Sequence, residues 1–348
     1  MKTVLVAGAC GFLGSHVCEY FANVLGWKVI GIDNMTQLEF VKSGYKGSDA
    51  RYHNWNYLSK NPLIKLQYYD IVHGSVLHKM EYNDFDYIIN CAAQPTMTLS
   101  IEDPMLDFNV NVLGALNLLE LARKKDVPIA LCSSIHIYGN LGNKSLKEKD
   151  TRFESLVPHI NEQTPILQGD MSPLHASKVA MEDYGRCYAD TYKLKVGIFR
   201  FTGMYGPRQF AGMHHGWVSN FIIRVLKDLP IYIFGTDKQV RDILYATDAV
   251  RIFSKFWYSQ TSGIYNVGSG VEGSVSLNET LSMIADITGK SPNIVMEPHR
   301  FGDLYYFVCD ISKAEDYLGW KPTVSPMDGL GRTVAWIKNN IGLFGGIQ

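Results

Sequence analysis

The chain has 348 residues, of which 46% are hydrophobic and 19% charged, so it holds enough apolar material for a full core and disorder of the whole chain is excluded. Its 33 basic and 34 acidic side chains leave a formal charge of −1, without the basic excess typical of nucleic-acid or membrane binding. The six cysteines are scattered singly, and the N-terminal apolar run is too short for a signal peptide. We therefore expect a soluble cytoplasmic protein.

Short apolar runs alternate with helical patterns through the first 200 residues. The predicted strands are 4–7, 28–33, 64–70, 86–93, 128–134 and 194–201, and the predicted helices are 13–25, 105–124 and 175–193. Strands without polar alternation, separated by helices, indicate a parallel sheet that is covered on both faces, and right-handed crossovers make it doubly wound. We predict an α/β fold with a doubly wound parallel sheet.

The pattern becomes less regular after residue 203. Helices are predicted at 217–227, 277–288 and 326–340, with short strands near 231–234 and 264–267. This predicts a smaller mixed C-terminal lobe, with some segments returning to the main sheet. Residues 1–202 with 236–269 would form the first domain, and residues 203–235 with 270–348 the second. Two polar stretches, 36–62 and 140–170, are predicted as long loops with a binding role.

A glycine-rich segment, Gly8-Ala9-Cys10-Gly11-Phe12-Leu13-Gly14, lies between the first predicted strand and helix. Gly8 permits a tight turn, Gly11 lets the backbone approach a pyrophosphate, and Gly14 allows close helix–strand packing. Asp33 ends the second strand, where an acid binds ribose hydroxyls and repels a 2′-phosphate. The pattern predicts a dinucleotide site that prefers NAD to NADP, the alternative being that Asp33 only caps a turn. Asp70, after the third strand, is either an adenine contact or a solvent-facing acid.

Further motifs extend along almost the whole chain. They are Ala92-Ala93-Gln94, Asn111-Val112-Leu113-Gly114, Ser133-Ser134 through Tyr138-Gly139, Ser177-Lys178, Arg200, and the segments 204–208, 239–242, 266–268 and 300–303. Together with the GxxGxxG spacing, they resemble the extended branch of the short-chain dehydrogenase/reductase superfamily, which acts on nucleotide sugars. Within that branch, segments 94–104, 208–210, 216–218 and 238–242 and the insertion at 140–170 resemble the CDP-tyvelose (CDP-paratose) 2-epimerases.

The resemblance implies a Rossmann-like NAD-binding domain, a nucleotide-diphosphate sugar as substrate and a homodimer, with no metal, nucleic acid or membrane. The implied cofactor contacts are Gly8, Gly11, Phe12, Leu13, Gly14, Asp33, Asn34, Asp70, Ile71, Ala92, Ala93, Gln94, Asn111, Ser133 and Lys178. The implied substrate contacts are Thr96, Ser134, Arg208, Trp217, Ile233, Arg241, Arg300 and Asp303.

The catalytic residues implied by the resemblance are incomplete. In the superfamily a serine or threonine, a tyrosine and a lysine cooperate, and the tyrosine removes a hydroxyl proton while hydride passes to NAD. Ser134 and Lys178 match the first and last of these, but the tyrosine position, four residues before Lys178, is Leu174. Three explanations stay open: His136 or His175 serves as the base, the protein binds without turnover, or the chain is a tyrosine-substituted variant.

The nucleotide part of the substrate is assigned to the smaller lobe by the same resemblance. Arg241 and Arg300 would bind the diphosphate, because a guanidinium fork matches phosphate oxygens, and Asp303 would accept from the nucleotide ribose. The alternative for each arginine is a surface ion pair, and for Trp217 a place in the core. His214 and His215 lie in a stretch where a loop role and a sugar contact are both open.

The expected activity is epimerisation through transient oxidation of a sugar carbon, an isomerase or oxidoreductase role in carbohydrate biosynthesis. The dehydratases of the branch carry an acid pair after the hydroxyl residue, where this chain has Ile135-His136, so 4,6-dehydration is disfavoured. A one-way nucleotide-sugar dehydrogenase and a non-catalytic binding protein are the alternatives.

Overall fold

The computed structural model describes residues 1–36, 45, 48–74, 79–140, 145–156, 159–212, 215–299 and 303–347. The strands within these ranges are β1 (Thr3–Ala7), β2 (Lys28–Asp33), β3 (Ile64–Tyr68), β4 (Tyr87–Asn90), β5 (Ile129–Ser134), β6 (Leu146–Glu148), β7 (Phe153–Ser155), β8 (Val196–Phe201), β9 (Gly203–Tyr205), β10 (Ile231–Phe234), β11 (Val240–Tyr245), β12 (Gly263–Val267), β13 (Ser274–Ser276), β14 (Ile294–Glu297) and β15 (Tyr306–Phe307). The helices are α1 (Phe12–Asn23), α2 (Ser48–Leu58), α3 (Met97–Glu102), α4 (Pro104–Phe108), α5 (Gly114–Lys125), α6 (Pro173–Tyr192), α7 (Trp217–Leu226), α8 (Ala246–Ser259), α9 (Leu277–Thr288), α10 (Ser312–Leu318) and α11 (Pro326–Asn339).

Seven parallel strands form the main sheet, in the order β12-β8-β5-β4-β1-β2-β3. Its central strands are continuous apolar runs because both faces are covered, and Val4 through Ala7 of β1 have no exposed surface. The strand order changes direction between β1 and β4, which places a crevice at their carboxyl ends. The predicted doubly wound parallel sheet is confirmed.

Helices cover both faces of this sheet. One core joins β1 to α1, α8 and α10, and a second core on the opposite face joins β1 to α5 and α6. Between α4 and α5, a π-helical turn at Asn109–Leu113 makes Pro104–Lys125 one helical run. That run is long and apolar enough by length and composition to cross a membrane, and half of its most apolar window is buried inside the protein.

The smaller lobe has its own sheets and core. β10 pairs with β14, and β11 lies between β13 and β15 and also pairs with β9. Helices α7, α9 and α11 pack together over an apolar cluster that includes Ile222, Ile284 and Ile337. The expected mixed lobe is present, and β12 returns to the main sheet as predicted. Strand β11, assigned above to the first domain, pairs within the small lobe.

Several elements were not predicted from the sequence, among them helix α2, strands β6 and β7, and helix α8. Helix α2 lies in the stretch 36–62 that was predicted as a loop, because its buried stripe, Ala50, Asn54 and Leu58, contains only one strongly apolar residue. The antiparallel pair of β6 and β7 lies in the predicted loop at 140–170. Helix α8 was not predicted, although Val250, Phe253 and Phe256 follow a helical spacing toward the core.

Candidate active site

The loop between β1 and α1 forms a tight glycine turn at the crevice. Gly8 has a φ of +73°, and a Cβ there would lie 2.6 Å from the backbone N of Ala92. A Cβ at Gly14 would overlap the carbonyl oxygen of Gly8. Helix α1 begins after Gly11 without a side-chain cap from the described residues, so the N–H groups from Phe12 onward can face an anion. This geometry fits the pyrophosphate of a dinucleotide.

Asp33 braces this turn from the end of β2. Its carboxylate accepts the backbone N–H of Cys10 and that of Met35, each at 2.8 Å. Burial raises the pKa of Asp33, and the N–H bonds oppose that rise. Asn34 Nδ2 donates to Asp70 Oδ2 at 3.1 Å. Asp33 therefore caps the turn at Met35, as the alternative supposed, while its partly exposed side chain stays at the crevice.

Several predicted cofactor contacts form a buried network behind the crevice. Gln94 Nε2 donates to Asp107 at 2.9 Å, and Asn111 Nδ2 donates to Asp107 at 3.0 Å and to Ser177 at 3.1 Å. Thr96, predicted to contact the substrate, is 2% exposed and its Oγ1 accepts the N–H of Leu99 at the start of α3. These side chains brace the end of β4. Asp107 was not among the predicted site residues. Its position one helical turn before Asn111 is the sequence signal that could have identified it as the partner of that asparagine.

The remaining cofactor candidates divide by exposure. Ala92 and Ala93 are partly exposed beside the glycine turn. Leu13 and Ile71 are 8% and 5% exposed and pack in the core on opposite faces of the sheet. The side chains of Leu13 and Ile71 therefore belong to the core beneath the crevice and are not on its surface.

Ser133 lies in an internal ion-pair network, away from the crevice. Its hydroxyl donates to Glu182 Oε1 at 2.6 Å, and Glu182 Oε2 accepts from Arg200 at 2.7 Å. Arg200 also donates to the hydroxyl of Tyr138 at 2.7 Å, which in turn donates to Asn266 at 2.8 Å. Neither Ser133, placed above among the cofactor contacts, nor Tyr138 has a free hydroxyl at the site.

Ser134 and Lys178 meet at the carboxyl end of β5. Ser134 Oγ accepts the backbone N–H of His136 at 3.2 Å, and Lys178 Nζ donates to the carbonyl of Cys132 at 3.0 Å. Burial lowers the pKa of Lys178. Leu174 lies one helical turn before Lys178 on α6 and is 3% exposed. The strand end and the start of α6 thus bring together the catalytic positions proposed from the sequence.

Two histidines lie beside these residues. The rings of His136 and His175 are perpendicular, with centroids 6.2 Å apart. His175 Nδ1 accepts the backbone N–H of Ser172 at 2.9 Å. The side chain of His136 is accessible to solvent from the crevice, although protein surrounds it on the other sides. This burial, and then the charges of His175 and Arg241, lower the pKa of His136 to about 4. Both imidazoles proposed as a base are therefore at the site.

Arg241 reaches the same crevice from the smaller lobe. Its guanidinium donates to Asp303 Oδ1 at 3.4 Å and to the carbonyl of Val240 at 2.9 Å. Burial lowers its pKa, and the charge of Asp303 opposes this. The side chain is 15% exposed, so the pair with Asp303 lies mostly inside the protein, and the charge of Arg241 contributes to the lowered pKa of His136.

Arg208 does not reach this crevice. It has a φ of +63° and is 5% exposed, and its guanidinium donates to Glu19 at 2.7 Å and to Ser15 at 3.2 Å on α1. The ion pair with Glu19 and the ring of Tyr57, 4.7 Å away, occupy the guanidinium. Arg208 therefore links the start of the smaller lobe to α1. Its guanidinium is occupied there and does not make the contact with substrate that was predicted.

The other substrate candidates have different positions. Ile233 is 1% exposed and packs in the small core, whereas Tyr232 and Phe234 alternate outward along β10, so contact with a base would come from those neighbours. Trp217 begins α7 and is partly exposed, with its ring edge-on to Phe221. Arg300 and His214 lie outside the described residues.

The comparisons with known proteins agree with this geometry. Residues 4–268 match the NAD dependent epimerase/dehydratase family. CDP-paratose 2-epimerase from Salmonella typhi is 31% identical over 350 residues, covering 96% of this chain and 98% of that protein. The structure of UDP-glucuronic acid 4-epimerase from Bacillus cereus, in complex with UDP-glucuronic acid and NAD, has a TM-score of 0.82 at 26% identity and covers 97% and 100% of the two chains. UDP-glucose 4-epimerase from Thermus thermophilus, in complex with NAD, has a TM-score of 0.79 at 31% identity and covers 97% and 99%.

The family match covers most of the chain, and the glycine turn, the uncapped start of α1 and the acid at the end of β2 fit the cofactor in the family's name. The expectation of NAD is confirmed at the level of the family. The chain belongs to the NAD dependent epimerase/dehydratase family.

Proposed function

We propose that the protein epimerises a nucleotide-diphosphate sugar by transient oxidation of one sugar carbon, in the manner of the CDP-tyvelose 2-epimerases. The observation that carries the proposal is the arrangement at the end of β5, where the exposed side chain of His136 follows Ser134 and the amino group of Lys178 reaches the carbonyl of Cys132. Arg241 on the smaller lobe is paired with Asp303, and its charge contributes to the lowered pKa of His136. A diphosphate held by Arg241 would therefore place the attached sugar beside Ser134 and Lys178. The names of the relatives, epimerases of CDP- and UDP-linked sugars, support this substrate class.

The residues of the first lobe fit the cofactor this reaction needs. The first N–H groups of α1 would bind its pyrophosphate, and Asp33 would accept from the ribose hydroxyls. Lys178, held at the carbonyl of Cys132, would position the second ribose by its ammonium group. When bound, NAD supplies a hydride acceptor that is reoxidised when the hydride returns to the sugar. No net oxidation results, so the cofactor need not leave.

Replacing Asp33 tests the cofactor assignment. Asp33→Ser should lower the preference for NAD over NADP, because the carboxylate that repels the 2′-phosphate is gone. Overall dinucleotide affinity should also fall, since Cys10 and Met35 lose their acceptor. Titration of the variant and the parent with both dinucleotides measures the ratio of the two dissociation constants. Equal affinities of the unmodified protein for NAD and NADP would contradict the role given to Asp33.

Replacing Arg241 tests the diphosphate assignment. Arg241→Ala should weaken CDP and UDP binding by about 1.5–3 kcal/mol, the usual contribution of a hydrogen bond to a charged group, and leave NAD binding intact. Calorimetry measures both. Lys238→Ala is the matched control, because Lys238 lies on the same segment but pairs outward with Glu148. Unchanged nucleotide affinity in Arg241→Ala would place this arginine outside the site.

The activity itself is tested with purified protein and a panel of CDP- and UDP-hexoses. NMR of the products should show an inverted sugar centre, without accumulation of absorbance from reduced cofactor. Stoichiometric reduced cofactor with an oxidised sugar would indicate a one-way dehydrogenase. Binding without either product would favour the non-catalytic alternative, which the aliphatic side chain at Leu174 motivates.

The proposed assembly is a homodimer through the outer faces of Pro104–Lys125 and α6. Those faces expose large apolar side chains, among them Met105, Phe108, Tyr184 and Tyr192, which are 65%, 50%, 43% and 51% exposed. Such a surface is typical of an interface between subunits.

A further inference from the structure

Oxidation of a sugar alcohol needs a proton acceptor as well as a hydride acceptor. This inference rests on the proposed function, because it assigns the acceptor for that reaction. Among the described residues, the candidates near the end of β5 and the start of α6 include Ser134, His136, Tyr138, His175 and Lys178. Tyr138 is not available, because its buried hydroxyl accepts from Arg200 and donates to Asn266.

Lys178 is held as a donor. Its Nζ gives a hydrogen bond to the carbonyl of Cys132, and the side chain is 5% exposed. Burial lowers the pKa of Lys178, and the carboxylates of Asp107 and Glu182 oppose that effect. The hydrogen bond to Cys132 directs the amino group to the backbone of β5, so Lys178 acts at the site as a donor.

His175 is held in one tautomer. Its Nδ1 accepts the backbone N–H of Ser172 at 2.9 Å and is also 2.9 Å from the hydroxyl of Ser172. A neutral ring with an accepting Nδ1 carries its proton on Nε2. Because the residue is 3% exposed and its only lone pair is used at the start of α6, His175 orients its surroundings and does not take the substrate proton.

His136 has the opposite properties. Its side chain is exposed to the crevice, and within the described part of the chain its ring has no hydrogen-bond partner. Its backbone N–H donates to Ser134 Oγ, so the imidazole and the hydroxyl come from one turn, Ile135–Tyr138. The ring of His175 on α6 is perpendicular to the imidazole of His136, with centroids 6.2 Å apart, and the charge of Arg241 on β11, which is paired with Asp303, also acts on it.

We propose that His136 accepts the proton of the sugar hydroxyl, with Ser134 binding the same oxygen. The O–H bond of the sugar breaks and an N–H bond forms on the imidazole, while the C–H electron pair leaves as hydride to the bound NAD. The sugar carbon becomes a ketone. In the return step the hydride adds to the opposite face, and His136 gives its proton back to the oxygen, so atoms and electrons balance.

The charge on Arg241 makes the basicity of His136 depend on whether a nucleotide is bound. At neutral pH the imidazole of His136 is unprotonated, since its pKa is about 4. Burial, and then the charges of His175 and Arg241, lower that pKa, and a diphosphate bound to Arg241 would offset the part that is due to its charge. We therefore expect nucleotide binding to make His136 a stronger base at the moment when a substrate is present.

The test is single-turnover formation of reduced cofactor by the parent and three variants. His136→Gln should slow the step about 10²–10⁴-fold, the usual contribution of a general base. His175→Gln should change it only a few-fold, because glutamine at this position keeps the helix-capping bond. Added imidazole should restore His136→Ala in proportion to its free-base form. A His136→Gln rate within ten-fold of the parent, a larger loss in His175→Gln, or no rescue by imidazole would overturn the proposal.

A second measurement separates this proposal from the proposed function. NMR titration of the His136 ring should show its pKa rising when CDP is added, and no such rise in Arg241→Ala. An unmoved pKa overturns the coupling even if turnover is found. If the parent oxidises no CDP- or UDP-hexose although CDP shifts the pKa, the proposed function is wrong and the role of His136 as an acceptor falls with it.

Discussion

Leu174→Tyr should restore turnover to a protein that lacks His136. In the His136→Gln background we expect the rate of reduced-cofactor formation to rise about 10²-fold or more, because Lys178, one turn along α6, would lower the pKa of a phenol placed there. In the unmodified background the gain should be small, since His136 already serves. Single-turnover kinetics of the four proteins measure both effects.

Leu174→Phe is the matched control for this experiment. Leu174 is 3% exposed, so any ring at this position crowds its neighbours, and overpacking of this kind costs about 1–3 kcal/mol of stability. Phenylalanine repeats the crowding without the hydroxyl. Equal rates in the His136→Gln variants with tyrosine and phenylalanine would show that the phenol does not reach the sugar. A strong gain in the unmodified background would show that the natural site lacks an effective base.

Glu182→Ala should destabilise the fold strongly. The change leaves Arg200 buried, with 4% of its side chain exposed, and without the carboxylate that it contacts at 2.7 Å. Removing one partner of a buried pair costs about 3–5 kcal/mol, because an uncompensated charge stays in the interior. Urea denaturation followed by circular dichroism measures the free energy of unfolding.

The control for Glu182→Ala is a substitution at the next residue of α6. Asp183 pairs with Arg186 on the outer face of α6, where both side chains are 63% exposed. Asp183→Ala should change the free energy of unfolding by less than about 1 kcal/mol. A loss in Glu182→Ala no larger than this would mean that water or a neighbouring group compensates Arg200.

The main sheet could be predicted because its strands are short, continuous apolar runs separated by helical patterns. Ser134 and Lys178 were assigned by resemblance to the short-chain dehydrogenase/reductase motif, and in the structure both lie near the carboxyl end of β5. The neighbouring Ser133 was misplaced, although alternation along β5 turns adjacent side chains to opposite faces. Placing Ser134 at the crevice therefore implied that Ser133 faced α6 and Glu182.

Other residues could not be placed from the sequence. Arg208 contacts Ser15 and Glu19, which lie almost 200 residues earlier, and its left-handed backbone falls on an arginine, a residue type that does not indicate this conformation. The choice between His136 and His175 depends on a single N–H bond from Ser172 to Nδ1. The contacts of Arg208 arise from tertiary packing, which periodicity does not encode, whereas the Ser172 bond is a local cap whose acceptor the sequence alone does not identify.

The path of the chain between the lobes limits how relatives could be recombined. The chain passes from the main sheet to the smaller one after β8, reaches the main sheet again through α8 and β12, and leaves it once more for β13. Strand β11 carries Arg241 and continues directly into α8, which packs on the main sheet. A chimera that exchanges substrate specificity therefore needs several crossover points, and one within β11 would separate Arg241 from the helix that directly follows this strand.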